Sequence, residues 1–143
     1  MCSSNATVRG LLAEIPEEFG TVVVDLEASP EHMTRSTTEH VDHMLVVAEP
    51  YFKSLETARR YHHLAVDLGI PKVSVVANKV RPEDTEIVSE YCEGHGFDLI
   101  ATVPFEPEFA AAERLGVAPI DHAPHSPGAE AIRRLASDVG ANA

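Results

Sequence analysis

The chain has 143 residues, 44% of them hydrophobic and 24% charged, which suits one globular domain with a core of its own. Eleven lysines and arginines against twenty-three aspartates and glutamates leave a net charge of -12, which disfavours non-specific binding to nucleic acid or an anionic membrane, since that needs a basic face. The two cysteines make no disulfide framework, no run of about 18 apolar residues marks a membrane span, and residues 1–9 do not read as a secretory leader, so the expected compartment is the cytoplasm.

Residues 5–15 read as a helix that Pro16 stops. The run TVVVDL at 21–26 is β-branched and is expected to be a buried strand ending near Asp25. Further strands are expected at 43–48, 72–77 and 98–103. All are dense in Val, Ile and Leu without clean alternation, as in a parallel sheet covered on both faces. A helix is predicted over 53–68, where Leu55, Ala58, Tyr61, Leu64, Ala65 and Leu68 form one apolar stripe. On its wet face Glu56 and Arg60 stand at i,i+4. Gly69 and Pro71 end it. Pro82, Glu83 and Asp84 open the next helix, whose expected buried face is Ile87, Val88, Tyr91 and Cys92. Pro107 and Glu108 open a short Ala-rich helix that Gly116 closes. Residues 118–127 read as a loop. Ser126 and Pro127 start a last amphipathic helix carrying Ile132, Leu135, Ala136 and Val139 on its apolar side, and 140–143 read as a frayed tail. The expected architecture is a single α/β domain over 1–143, a doubly wound, mainly parallel sheet of about four strands with flanking helices.

In open α/β sheets ligands bind beyond the carboxyl ends of the strands. Asp25, with Glu27 two residues on, stands at such an end. A carboxylate there serves a Mg²⁺-bound water in nucleotide hydrolases, and it equally suits a solvated loop. Asn78 and Lys79 follow the strand at 72–77. An asparagine amide offers a donor and an acceptor to a base edge, although taken alone the turn reading of Asn78 is the stronger. Pro104, Phe105 and Glu106, with Pro107 behind them, follow the strand at 98–103; this stiff loop either walls a flat ring or simply enters a helix. The eight histidines show no H-E-x-x-H or C-x-x-C companion, so they read as surface and packing residues. Cys2 reads either as a free thiol or as part of a metal site shared across a two-fold axis, since one thiolate cannot close a tetrahedral site. No G-x-x-x-x-G-K-[ST] motif occurs in the sequence.

In order, VVVDLEASPEHMTRST, MLVVAEPYFKSLETARR, GIPKVSVVANKV and LIATVPFEPEFAAAERLGVAP resemble the C-terminal two-thirds of the carbon monoxide dehydrogenase accessory ATPases. These are nickel-insertion proteins of the MinD/ParA-like, deviant P-loop group. The resemblance runs from Cys2 to about Val139, and its D-x-E-A-x-x-E-H segment is the most specific part. It implies a parent activity of ATP hydrolysis with Mg²⁺, coupled to maturation of a metallocentre. It also implies that Asp25 matches the switch II aspartate, that Asn78 with Lys79 reads adenine, and that Pro104, Phe105 and Glu106 close over the base. Cys2 would match the second cysteine of a Cys-x-Cys pair that holds zinc or nickel between the subunits of a homodimer. The implied client is carbon monoxide dehydrogenase.

The sequence departs from that pattern in two places. The first strand, the Gly-rich loop with its lysine and the following helix have no counterpart, which is expected of a fragment, a gene model begun at an internal Met, or a degenerate relative. Ser29 and Pro30 replace the glycine usual after the switch II alanine, and Pro30 has no N–H to offer a γ-phosphate. The alternatives are another MinD/ParA-like ATPase or a non-enzymatic half-domain that binds a partner through an uncovered sheet edge.

Overall fold

Runs of β-branched residues separated by amphipathic helices build a three-stranded parallel sheet in the order β1-β2-β3. The structure is a computed structural model and describes residues 20–26 and 41–140. β1 is His43–Ala48, α1 Phe52–Asp67, β2 Lys72–Val80, α2 Thr85–His95 and β3 Leu99–Pro104. After β3 come α3 (Pro107–Leu115), the one-turn α4 (Pro119–His122) and α5 (Pro127–Gly140). Pro82–Asp84 forms a 3₁₀ turn ahead of α2.

β2 is the central strand. Its alternate side chains serve two cores, as a sheet covered on both faces requires. On one face Val75, Ala77 and Val80 pack with Val88 and Cys92 of α2 and with Phe97, while Val46 and Ala48 of β1 meet Leu55 and Ala58 of α1. On the other face Val76, Val103 and Ala131 pack together, joined by the half-buried Leu45, Ile100 and Leu135. Thus α1 and α2 cover one face and α5 the other. α1 and α3 sit on this frame within a residue or two of their predicted bounds, and Gly116 closes α3 in the left-handed conformation at φ 67°.

The structure corrects several expectations. Residues 21–26 form no strand, and Val23 is 86% exposed; among the described residues the sheet has three strands. A β-branched run is held in a strand by its ladder partners, and this one has none among the described residues. No strand among the described residues pairs with the outer edge of β1, and Val47 in its middle is 61% exposed. Glu56 pairs with Arg59 at i,i+3, bidentately at 2.9–3.3 Å, and not with Arg60. Ile87 and Ile132 face solvent, so α2 and α5 bury narrower stripes than predicted. α5 instead sets Gly128, Ala129 and Ala131 inward, small residues that let it lie close to the sheet. Part of the 118–127 loop is helical, and α5 runs through Gly140. The predicted helix at 5–15 lies outside the described residues.

A histidine-rich aromatic cluster closes the end of the core where the strands begin. The His62 ring lies 4.4 Å from Phe97, His95 lies 5.5 Å from it, and His95 stacks on Tyr91 at 4.2 Å. The Tyr91 hydroxyl donates to Glu56 Oε1 at 2.6 Å. Arg59 and this hydroxyl hold the Glu56 carboxyl down at about 2. Burial, then the Glu56 bond, pushes Tyr91 up to about 12. Burial and the neighbouring His63 lower the pKa of His62, and its buried Nδ1 has no hydrogen-bond partner among the described residues. A histidine with a lowered folded pKa takes up its proton first in the unfolded chain. The stability it carries is therefore complete above the unfolded value of about 6.5 and is lost as pH falls through it. His43, lowered chiefly by burial, acts with the same sign. The melting temperature is expected to drop between pH 7.5 and 5.5, and His62→Phe to flatten that drop. Parallel profiles for the two proteins would show that His62 is not a source of it.

Candidate functional site

The carboxyl ends of the three strands open onto one rim, and most of the described site candidates stand on it. The rim is shaped by an irregularity in β2. Ala77 pairs with Thr102 and Val80 with Pro104, so three steps on β2 face two on β3, and the slack falls at Asn78 and Lys79. Lys79 takes it up at φ 56°, the left-handed region, which costs a non-glycine residue about 1–2 kcal/mol. Such outliers persist where surrounding contacts hold them, and they gather at functional sites.

Those contacts are visible on both sides. Lys79 Nζ donates to Glu49 Oε1 at 2.7 Å, bridging the ends of β1 and β2, and the Glu49 carboxylate raises the lysine's pKa. Glu49 is held in turn, its N–H donating to Ser54 Oγ at 2.9 Å. Asn78 Oδ1 accepts the Lys79 N–H at 3.0 Å. That leaves the Nδ2 donors of Asn78 for an acceptor outside this turn. On the β3 side the Phe105 N–H donates to Val80 O at 2.9 Å, and the Arg81 guanidinium lies 4.5 Å over the Phe105 ring. Pro104 ends β3, and Glu106 is the N-cap residue of α3. A β-carbon at Gly128 would stand 3.2 Å from the β-carbon of Glu106 and 2.8 Å from the Phe109 ring, so α5 fits tightly under this loop.

The rim therefore offers an amide donor, an aromatic face 45% exposed and a guanidinium, which together suit a flat heteroaromatic ring. Its helix ends do not suit a phosphate. Glu83 and Asp84 lead into α2 and Glu108 stands in the first turn of α3, where carboxylates oppose an anion.

The structure brings Asn78, Lys79, Pro104, Phe105 and Glu106 to one end of the sheet. Asp25 is placed in an exposed stretch without regular structure, with no partner in the sheet. Cys2 and Glu27 lie outside the described residues. Among the described residues no group of three His, Cys, Asp or Glu side chains is placed to hold a metal ion. His43, His62 and His122 engage in bonding and packing instead, His122 with Glu108 at 3.2 Å. Glu49 and Arg81 were missed by sequence reasoning. Their one signal was position, each just beyond a strand end.

The chain is 36% identical over 126 residues to the carbon monoxide dehydrogenase accessory protein CooC of Rhodospirillum rubrum, a match that covers 87% of this chain and 47% of CooC. It is 41% identical over 118 residues to an ATP-binding protein of Methanocaldococcus jannaschii, covering 81% of this chain and 46% of the relative. The chain thus spans about half the length of the curated relatives it matches. Its fold is that of MinD from Aquifex aeolicus, with a TM-score of 0.60 at 22% identity over 72% of this chain and 47% of that one. It is also that of MinD from Pyrococcus horikoshii, solved with Mg-ADP, with a TM-score of 0.58 at 19% identity over 73% of this chain and 43% of that one. No protein-family model matches the chain.

Proposed function

Because the chain belongs to the CooC/MinD-like group of P-loop ATPase-like proteins, whose C-terminal part it matches, we propose that it carries the base-reading portion of an adenine-nucleotide site. The parent activity in this reading is ATP hydrolysis with Mg²⁺, coupled to metallocentre maturation with carbon monoxide dehydrogenase as the client. The observation that carries it is the convergence of Asn78, Lys79 and Phe105 on one rim, in a chain 36% identical to CooC. Asn78 Nδ2 would donate to a ring nitrogen of the base, Phe105 and Pro104 would wall its face, and Glu106 would close the loop. Lys79, tied to Glu49, would hold Asn78 in place. Asp25 takes the catalytic role beside the Mg²⁺-bound water in the parent activity. Cys2 is assigned to a zinc or nickel site between two subunits of a homodimer, and the compartment is the cytoplasm. No helix among the described residues is long and apolar enough to cross a membrane.

Phosphate recognition in this fold class rests on a Gly-rich loop and the helix dipole behind it. The sequence has no such motif. The chain alone is therefore expected not to hydrolyse ATP, and turnover above background that Asp25→Ala abolishes would overturn this. Calorimetry with Mg²⁺ is expected to give weak binding, equal for AMP, ADP and ATP, because only the base is held. Micromolar affinity that rises with phosphate number would sink the base-only reading.

A second reading rests on the edge of β1, which no described strand pairs, and the cleft beside it, lined by Val47, Tyr51, Ala58 and Tyr61 among others. In that reading the chain is a non-enzymatic half-domain that docks a partner there. Failure to bind any of the three nucleotides would favour it.

A further inference from the structure

We propose that Arg81 is a positioning residue that fixes the pose of Phe105 and thereby prepares the rim to accept a base. The inference rests on the adenine reading above and adds a residue that nothing in the family resemblance assigns.

Arg81 directly follows Val80, whose carbonyl accepts the Phe105 N–H, so the two backbones are tied side by side. Its own backbone is fixed by the turn it opens. The Arg81 N–H donates to Asp84 Oδ2 at 3.2 Å, and its carbonyl accepts the Asp84 N–H at 3.0 Å and the Thr85 hydroxyl at 3.4 Å. The guanidinium is thus delivered from a rigid base onto the Phe105 face at 4.5 Å. Its side chain makes no ion pair among the described residues. Beyond its own turn the side chain stacks on Phe105.

Phe105 needs such a support. At 45% exposure it has little apolar wall to choose its rotamer. A ring that must be ordered at the moment of binding gives up part of its stacking free energy, whereas one already held does not. Arg81 covers one side of the ring, and a base stacks on what remains open. A direct role on phosphate fits poorly, because Glu83, Asp84 and Glu108 crowd the same rim with negative charge. An exposed cation–π stack corresponds to a factor of about 2–5 in an equilibrium constant.

The test is a cycle of Arg81→Ala, Phe105→Ala and the double variant in the full chain. Arg81→Ala is expected to speed amide hydrogen exchange at Phe105 about 2–5-fold, and Arg81→Lys to restore most of the protection. AMP, ADP and ATP, titrated by NMR, should each weaken by that same factor, and Arg81→Ala should cost nothing further once Phe105 is alanine. Unchanged exchange at Phe105 overturns the proposal. So does a loss that grows from AMP to ATP, which would put Arg81 on the phosphates. An undiminished loss in the Phe105→Ala background overturns it as well, since Arg81 would then touch the nucleotide itself. If the unmodified chain binds none of the three, the adenine reading falls and takes the base-binding half of this inference with it. The exchange measurement then still decides whether Arg81 sets the pose of Phe105.

Discussion

Phe97→Ala is expected to lower the unfolding free energy by about 3–5 kcal/mol, a large part of the roughly 5–15 kcal/mol that a domain has. Phe97 is 8% exposed and sits where two kinds of packing meet. Inward it contacts the core of Val75, Ala77, Val80, Val88 and Cys92. Outward it is the ring against which His62, His95 and Tyr91 are arranged, at 4.4, 5.5 and 6.4 Å. Its backbone is fixed as well, the N–H donating to Cys92 O at 2.8 Å just past the left-handed Gly96. The neighbours therefore have little freedom to collapse into the space a truncation would leave, and the cost should stand at the high end for an aromatic deletion. Urea unfolding at pH 7.5 measures it. A loss under about 1 kcal/mol would mean that the imidazoles swing in to fill the cavity.

Ser74→Ala is expected to cost about 1–2 kcal/mol. Ser74 is fully buried, and its hydroxyl is the middle link of a chain from β1 through β2 to the residue just before β3. His43 Nε2 lies 2.9 Å from Ser74 Oγ, and Ser74 donates to Asp98 Oδ2 at 2.8 Å. With the hydroxyl proton given to Asp98, the Nε2–H tautomer of His43 donates to the serine oxygen. Removing the hydroxyl breaks both bonds. The loss is limited because His43 and Asp98 are partly exposed and can turn to water, and because alanine suits a buried site. The check is a double-mutant cycle with Asp98→Asn. If the two losses simply add, the residues are not coupled through this chain of bonds.

Three of the strands and the long helix were legible in the sequence because each has enough local signal to stand alone. The runs at 43–48 and 98–103 are short and dense in Val, Ile, Leu and Ala after one polar opening residue. The stripe from Leu55 to Leu68 repeats often enough to fix both period and phase. Residues 21–26 carry the same local signal and form no strand, since β-propensity measures fit to a partner. Ile87 and Ile132 were placed inside by chemistry alone, yet which side of an amphipathic helix meets the sheet is set by small residues such as Ala129 and Ala131. Within the site, Asn78 and Phe105 were legible as residues at strand ends. Glu49 was not, because its partner Lys79 stands thirty residues away and points toward β1 only through the left-handed turn. The Ser74 chain spans 31 and 24 residues and leaves no local trace.

The two faces of the sheet are covered by different stretches of chain, and this gives the protein an order of assembly. Both crossover helices on the first face lie between the strands they join, so each βαβ unit can close from contiguous chain as it is synthesised, with only a short loop-closure cost. Among the described residues the opposite face has no such helix. Val76 and Val103 await Ala131, which is made only after the whole sheet has been completed. Among the described residues, α5 is the segment that covers this second apolar face, and it is made last.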